Sequence, residues 1–415
     1  MTVNAQAGHE QRTADEAAED RLVELRARVL AHLRSQGFRT TDTGVLAPVE
    51  TDKEKVRQLH AEAVAEQRRR AAPSLSRREA MFVGMLADGA DVEPVNIIPY
   101  LEQVTDHRSA IGLMWRWCAL HWSIPVSGGY GRRLRFLVRD AGHDDAVIGV
   151  IGLGDPVFAM SGRDATIGWS NEQRARCLTS VMDAFVLGAV PPYNRLLGGK
   201  LVALLAGSHV VRRAFARQYG SRQTLISGRD PKAQLALITT ASALGRSSVY
   251  NRLKRSDGTL AFKAVGYTQG SGDFHFSGAI YGDLVKLAES TMGDGNLTYR
   301  HANWTGAGFR NRREVIQRAL TALGFRSRAL RYHGVRRQVF LNPLASNSYE
   351  WLRGETRHLN WLAAEPDDLA AWWRRRWAIP RSLADQSWQL ERASNWALYE
   401  QPTIADDSGF VSLPG

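Results

Sequence analysis

Cysteine is scarce in this sequence, which holds Cys118 and Cys177 and no other among its 415 residues. Two cysteines do not build a disulfide framework, and neither has the CxxC spacing of a zinc site. Long hydrophobic runs are also missing, since no stretch approaches the roughly 20 apolar residues of a membrane-spanning helix. The N-terminus is polar and acidic, without the apolar segment typical of a signal peptide. We therefore expect a cytoplasmic protein that does not associate with membranes.

Acidic residues are outnumbered, with 42 Asp and Glu against 54 Lys and Arg, so the formal net charge is +12 at pH 7. Such an excess favours a polyanionic partner, which is DNA, RNA or an anionic surface. A solvated, arginine-rich surface would give the same totals, so both interpretations stay open. The hydrophobic share of 44% is sufficient for a sizeable core. The length indicates two or three structural units.

The pattern along the chain predicts an α/β protein. It divides into a disordered tail (1–20), a helical N-terminal region (21–125), an α/β core (126–290), a basic α+β C-terminal region (291–400) and a second tail (401–415). Within the core, hydrophobic patterning predicts strands at 133–138, 146–153 and 183–190, and one helix over 201–219. A glycine turn between 262–267 and 273–276 predicts a β-hairpin there.

A glycine-rich loop connects the predicted strand 183–190 to the following helix, and its candidate ligand-binding residues are Arg195, Gly198, Gly199 and Lys200. Backbone N–H groups at a helix start are unpaired and carry the positive end of the helix dipole. Glycines let a phosphate approach that backbone, and a lysine adds a full charge. A turn in which glycines only allow close packing is the alternative.

The same loop resembles the pyrophosphate loop of GNAT acyltransferases, whose pattern is [Q/R]xxGx[G/A], with Lys200 in place of the last small residue. The order of predicted elements is also that of GNAT domains. The resemblance implies a GNAT-like mixed sheet and an acetyl-CoA-like cofactor. It places Tyr250 where many such enzymes have a general acid that protonates the leaving thiolate. A structural tyrosine is the alternative.

Two other sets of residues are candidates for catalysis. Asp155, Asp164 and Asp183 fall at predicted strand ends, where three carboxylates would hold Mg²⁺ for phosphodiester cleavage. Spacing does not establish that they converge, so no metal site is assigned. His275 lies two residues from Asp273 and would form an acid–base pair with it, or it is a structural histidine between two phenylalanines.

Arginine is concentrated in two C-terminal segments. Nine arginines stand against one acid, Glu314, between residues 310 and 337. We predict nucleic-acid contacts for six of them: Arg310, Arg312, Arg313, Arg318, Arg336 and Arg337. Further on, three arginines at 374–376 lie between Trp373 and Trp377, a pattern typical of a phosphate grip with stacking surfaces. Solvated helix faces and core tryptophans would explain the same residues.

Several motifs in order resemble the DruA family of Druantia anti-phage systems. They are VSGGYGRR (126–133), LGDPVF (153–158), LGAVPPY (187–193), LLGGKL (196–201) and GYTQGSGDFHFSG (266–278). The resemblance implies a role in prokaryotic defence beside a large helicase-like protein. The core is also distantly similar to Mom-type DNA-modifying proteins.

Three hypotheses follow from the sequence. The first is a GNAT-like enzyme that acts on DNA or on a DNA-bound target. The second is a binding module that kept the fold, lost transfer chemistry and recognises DNA for a helicase partner. The third is a Mg²⁺-dependent nuclease or transposase-like enzyme that uses the three aspartates.

Overall fold

A computed structural model of the protein describes residues 3–40, 46–48, 52–126, 131–223, 228, 230–291 and 312–399. The described chain forms a seven-stranded mixed sheet with helices on both faces, and a separate two-stranded ribbon. The predicted α/β class with a mixed sheet is confirmed.

Strands β1 (Phe38–Thr40) and β2 (Leu46–Pro48) form the antiparallel ribbon. The strands of the main sheet are β3 (Pro99–Gln103), β4 (Arg133–Asp140), β5 (Ala146–Gly154), β6 (Val181–Ala189), β7 (Leu237–Ala241), β8 (Lys263–Tyr267) and β9 (Gln338–Pro343). Their order is β3-β4-β5-β6-β7-β9-β8. Only β6 and β7 are parallel among these neighbours, and every other pair is antiparallel.

The described helices are α1 (Val3–Ser35), α2 (Lys53–Leu75), α3 (Glu79–Val83), α4 (Ala110–Ala119), α5 (Ser161–Ile167), α6 (Asn171–Cys177), α7 (Gly198–Leu205), α8 (His209–Tyr219), α9 (Gly278–Ser290), α10 (Arg312–Ala322), α11 (Ser327–Arg331), α12 (Ser348–Arg353), α13 (Pro366–Trp373) and α14 (Ile379–Ala384). A π-helical turn, Arg374–Ala378, joins α13 to α14. Within the described ranges, no helix has both the length and the apolar character needed to cross a bilayer.

The central strand β5 is buried at all nine positions, because helices cover the sheet on both sides. On one face α7, α8 and α13 pack on the sheet and form the largest hydrophobic cluster, with Phe215 and Trp373 among its buried side chains. On the other face α3 and α4 cover β4 to β6. A separate cluster joins α1 and α2 to α9 and α10.

The main sheet crosses the boundaries of the regions predicted from sequence. Strand β3 belongs to the main sheet although it lies in the region predicted to be helical, and β9 lies in the predicted C-terminal region. Helix α1 begins at Val3, within the stretch predicted as a tail. The predicted tail 401–415 lies outside the described residues. The sheet therefore takes strands from three of the predicted regions.

Two local predictions are wrong. The helix predicted over 201–219 is divided into α7 and α8, because the chain turns at Gly207. A Cβ on Gly207 would lie 3.1 Å from the Asn342 side chain of the neighbouring strand. The predicted hairpin partner 273–276 is a turn, and β8 pairs with β9 instead. His275 and Phe276 are both fully buried, so this segment lacks the alternation of a strand.

Candidate nucleic-acid interface

The glycine loop leads directly into α7, as the sequence predicts, and part of its backbone is used within the protein. The N–H of Gly198 donates to the carbonyl oxygen of Tyr193 at 2.8 Å. A Cβ on Gly198 would lie 2.6 Å from that same oxygen, so the turn itself requires glycine there. The indole N–H of Trp373 donates to the carbonyl oxygen of Leu197 at 3.1 Å. This hydrogen bond connects helix α13 to the loop.

Lys200 projects from the first turn of α7 toward the turn that precedes Tyr250. Its Nζ donates to the carbonyl oxygens of Ser248 and Val249 at 3.2 and 3.3 Å. The same ammonium lies 5.6 Å from the centre of the Trp377 ring. Burial lowers the pKa of Lys200, and the neighbouring charge of Arg376 lowers it further. An anion bound beside Lys200 would offset the repulsion between Lys200 and Arg376.

The C-terminal arginines and tryptophans lie beside Lys200. Arg375 and Arg376 are exposed. Their guanidinium carbons lie 5.4 Å from the Trp372 ring centre and 5.9 Å from the Trp377 ring centre, respectively. The two indoles meet edge-on with centroids 5.9 Å apart. We call these five residues, Lys200, Trp372, Arg375, Arg376 and Trp377, the Lys200–Trp377 surface.

This surface combines cations with aromatic rings and has no ion-pair partner for Lys200, Arg375 or Arg376 among the described residues. Nearby, Arg195 is neutralised by Glu391, whose Oε1 accepts from its Nε at 2.7 Å. Arginine and lysine suit phosphate oxygens, and indoles offer faces or edges to bases. Two sequence features about 170 residues apart, the glycine loop and the tryptophan–arginine segment, thus lie side by side on one surface.

Tyr250 lies close to this surface but inside the core. Its ring packs against Phe262 and Phe340 with centroid distances of 4.9 and 5.3 Å. Burial raises the pKa of Tyr250 to about 12, against a smaller lowering by its hydrogen bond with Thr240. A hydroxyl in this state is a weaker acid than a free tyrosine.

Arginines hold two of the three candidate carboxylates. Asp155 accepts from the backbone N–H and the Nε of Arg132 at 2.9 and 2.6 Å. Asp164 accepts from Arg163 at 2.8 Å and from Arg174 at 3.2 Å. The described residues contain no group of three or more His, Cys, Asp or Glu arranged to hold a metal ion. The fold does not bring these aspartates together as a metal centre.

Asp183 differs from the other two carboxylates. Thr239 donates to its Oδ1 at 2.6 Å across the parallel strand pair. Burial raises the pKa of Asp183, and this hydrogen bond and the charges of Arg163 and Arg133 oppose the rise. The carboxyl therefore belongs to the polar interior of the sheet.

His275 does not form the predicted pair with Asp273. Its Nε2 lies 2.9 Å from the carbonyl oxygen of Leu330, and its Nδ1 is buried without a partner among the described residues. Burial lowers the pKa of His275 to about 3. Asp273 instead forms an ion pair with Arg331. A histidine that stays neutral in the core has a packing role in this structure.

The arginine segment 310–337 divides into two groups. Arg310 lies outside the described residues, and Arg318 is half-buried and has an interaction within the protein. Arg312 is also half-buried and donates to the carbonyl oxygen of Phe276, and Arg337 donates to Nε2 of His60 at 2.9 Å. These contacts turn Arg312 and Arg337 inward rather than toward a ligand. Four others are exposed: Arg313, Arg326, Arg328 and Arg336.

The family is established by comparison with known proteins. The model of the family described as Druantia protein DruA matches residues 50–354. This chain belongs to the DruA family. A curated relative, Druantia protein DruA of Escherichia coli (strain UMEA 4076-1), is 39% identical over 379 residues, which is 90% of this chain and 91% of the relative. No solved structure matches the chain.

The match to the DruA family model ends at Gly354, before α13 begins at Pro366. The matched residues include the whole glycine loop and Lys200, and they exclude Trp372 to Trp377. Of the five residues of the Lys200–Trp377 surface, Lys200 is therefore within the DruA match and the other four are beyond it.

Sequence reasoning overlooked a row of arginines on β4. Arg133 and Arg135 alternate with the buried Leu134 and Phe136, so both lie on one face of the sheet. Arg135 lies 5.1 Å over the Trp115 ring of α4. The alternation is visible in the sequence, but the ring that each arginine meets comes from a distant segment.

Proposed function

We propose that this DruA-family chain is a nucleic-acid-binding component of a Druantia-type defence against phage, and that the Lys200–Trp377 surface holds the nucleic acid, DNA in the first instance. One observation carries the proposal: Lys200 and Arg376 both lie against the Trp377 ring, beside the exposed Arg375. Cations without an ion-pair partner bind phosphates, and the tryptophans contact bases of an unpaired strand.

The exposed arginines of the 312–337 segment extend the positive surface over which a polyanion is attracted. Arg336 lies 5.3 Å over the Tyr267 ring, at the edge strand β8, and Arg328 is on the short helix α11. With a net charge of +12, the whole protein favours association with DNA at low salt. In this role the protein would act in the cytoplasm, with a helicase-like protein as its partner.

Binding without group transfer is the function that the glycine loop supports best. The strand order and the single parallel pair β6–β7 among the described strands support a GNAT-like framework. However, a diphosphate would bind the backbone N–H groups of the loop. Those of Gly198 and Lys200 already donate to the carbonyl oxygens of Tyr193 and Leu197 at 2.8 and 2.9 Å. These residues fit the diphosphate of coenzyme A poorly. We therefore favour a binding module over an acyltransferase.

The first test measures DNA binding by fluorescence anisotropy with a labelled single strand, as a function of salt. The double variant Arg375→Gln/Arg376→Gln is compared with Arg77→Gln/Arg78→Gln, which removes the same charge from another exposed site. For the Arg375→Gln/Arg376→Gln variant alone, we expect a less steep slope of log affinity against log salt concentration. The slope should decrease in magnitude by about 0.7 for each phosphate contact that is lost. An equal effect of both variants would show that only total charge matters.

A second comparison addresses stacking. Trp377→Leu removes the ring from the proposed site, and Trp361→Leu removes a partly exposed ring elsewhere that lies under Arg212. Loss of one base stack weakens binding by about 1–3 kcal/mol. We expect that loss for Trp377→Leu only. If both variants bind DNA with the same affinity, Trp377 does not stack on a base.

A thermal-shift titration separates this proposal from acyl transfer. A ligand that binds only the folded state raises the melting temperature. We expect no rise with millimolar coenzyme A or acetyl-coenzyme A. A dose-dependent rise that is abolished in Gly199→Trp would instead support a working acyltransferase site.

A further inference from the structure

A cavity of about 440 Å³ opens between α2, α4 and β4, on the sheet face opposite α7. Three arginines line it: Arg70, Arg116 and Arg135. Apolar side chains also line it, and they include Leu75 and Leu120. No carboxylate is among the described residues that line it. The cavity thus combines positive charge with an apolar wall.

Among the arginines that line the cavity, Arg135 has an unsatisfied hydrogen-bond donor. Its Nε is buried and has no hydrogen-bond partner within the described part of the chain. Burial lowers the pKa of Arg135, and the like charges of Arg133 and Arg116 lower it further. The half-buried guanidinium of Arg135 lines the cavity, and an anion there would offset the cost of its poorly solvated charge.

The surroundings hold this arginine in place. Its guanidinium stacks over Trp115, whose indole N–H donates to the carbonyl oxygen of Ile151 at 3.0 Å. Beside it, Arg133 lies 4.6 Å over the Phe185 ring. A Cβ on Gly152 of β5 would lie 2.8 Å from both the Trp115 and the Phe185 rings, so glycine leaves the space that these rings fill. The arginine is pre-organised, which reduces the entropic cost of binding.

Arg116 supplies a second donor from α4. Its guanidinium donates to the hydroxyl of Ser74 at 3.3 Å, which is a long distance for a charged donor. Arg70 is held by Glu66 and stays largely exposed at the mouth of the cavity. Two arginines, Arg116 and Arg135, are therefore available to one anionic group.

We infer that this cavity binds a small molecule that carries phosphate on an apolar body, the chemistry of a nucleotide. The guanidinium groups of Arg116 and Arg135 would bind the phosphate through charge-assisted hydrogen bonds. Leu120 and Val126 would contact the sugar or base. The volume of about 440 Å³ lies within the range typical of small-molecule pockets and exceeds what phosphate alone needs. This inference is independent of the Lys200–Trp377 surface.

The test is isothermal titration of the full-length protein with ATP, with inorganic pyrophosphate as the second probe. We expect ATP to bind about tenfold or more tightly than pyrophosphate, because only ATP contacts the apolar wall. Arg135→Gln and Arg116→Gln are each expected to weaken ATP binding about tenfold. Arg77→Gln, outside the cavity, is the matched control and is expected to bind ATP as the parent protein does.

Arg116→Gln keeps the test decisive if Arg135→Gln fails to fold, because Arg116 is on the helix surface that faces Ser74. Failure of millimolar ATP to bind would overturn the inference. ATP binding that neither arginine variant weakens would also overturn it. Equal affinity for ATP and pyrophosphate would overturn the assignment of the ligand as a nucleotide. DNA binding by the Arg375→Gln/Arg376→Gln protein tests the other site separately.

Discussion

Arg163 is fully buried, and its guanidinium is used entirely within the protein. Its Nη1 and Nη2 donate to the carbonyl oxygens of Val157 and Phe158 at 2.8 and 2.9 Å, and its Nε donates to Asp164. The exposed Arg375 has no such bonds among the described residues. At the scale of single residues, the number of arginines in a segment is therefore a poor measure of its phosphate contacts. Burial and hydrogen bonding decide which arginines face a ligand.

The histidine cluster, His60, His275 and His333, predicts acid sensitivity. Burial lowers the pKa of His60 to about 4 and the pKa values of His275 and His333 to about 3. These histidines stay neutral in the fold near pH 5, but they bind protons in the unfolded chain below about pH 6.5. The free energy of unfolding should therefore fall between pH 7 and pH 5, by about 2 kcal/mol for each histidine. Urea denaturation at several pH values measures this loss.

The variant His275→Gln tests the assignment of that loss. It removes one of the three protonation sites, so we expect a smaller drop in stability between pH 7 and pH 5, by about 2 kcal/mol. His358→Gln removes an exposed histidine and is the control. If both variants lose stability as steeply as the parent protein, acid sensitivity comes from other groups.

At the scale of elements, the glycine loop gives a paired prediction. Gly198→Ala should destabilise the protein by about 1–3 kcal/mol, because its Cβ would be 2.6 Å from a backbone oxygen that has little freedom to move. Gly199→Ala should be neutral or slightly stabilising, because the nearest atom, Cγ2 of Val249, is 3.5 Å away and alanine favours a helix. Thermal denaturation of both variants measures the difference. Equal effects would contradict the packing role of Gly198.

The elements that sequence predicted well are those with strong local patterns. Strands β4, β5 and β6 and the loop before α7 were all found close to their predicted positions. These elements have runs of buried residues or clear helical spacing, and local sequence is sufficient for such features. Arg313, Arg336 and the basic tryptophan segment were nucleic-acid candidates from sequence; the two arginines are exposed, and their nucleic-acid contacts stay a prediction.

The failures have tertiary causes. Residues 273–276 resemble a strand in sequence because aromatic residues flank His275, yet the aromatic rings pack around Phe38 and the histidine cluster instead. The candidate surface also combines distant residues, since nothing local to Lys200 indicates that Trp377 lies beside it. Contacts of this kind depend on how α13 crosses the sheet, which patterning alone does not specify.

The whole molecule has a second hydrophobic cluster, which joins the N-terminal helices α1 and α2 to α9 and α10. Val29 and Leu33 of α1 are buried against residues of α9 and α10, among them Leu284 and Ile316. Arg28 also forms an ion pair with Asp283 of α9. The N-terminal helix is therefore packed on the protein itself, a long-range contact that its own helical spacing does not specify.

Two truncations test this packing. Deletion of residues 2–20 should change stability little, because the described side chains of residues 16–20 are exposed. Deletion of residues 2–35 should cost roughly 3–6 kcal/mol, because it removes Val29 and Leu33, at roughly 1.5–3 kcal/mol for each buried side chain. Thermal and chemical denaturation of both proteins measure the difference. DNA binding by the folded fraction should be unchanged, because the Lys200–Trp377 surface belongs to another hydrophobic cluster. Equal stability of the two truncated proteins would mean that α1 contributes nothing to the fold, and its buried face would then require another partner.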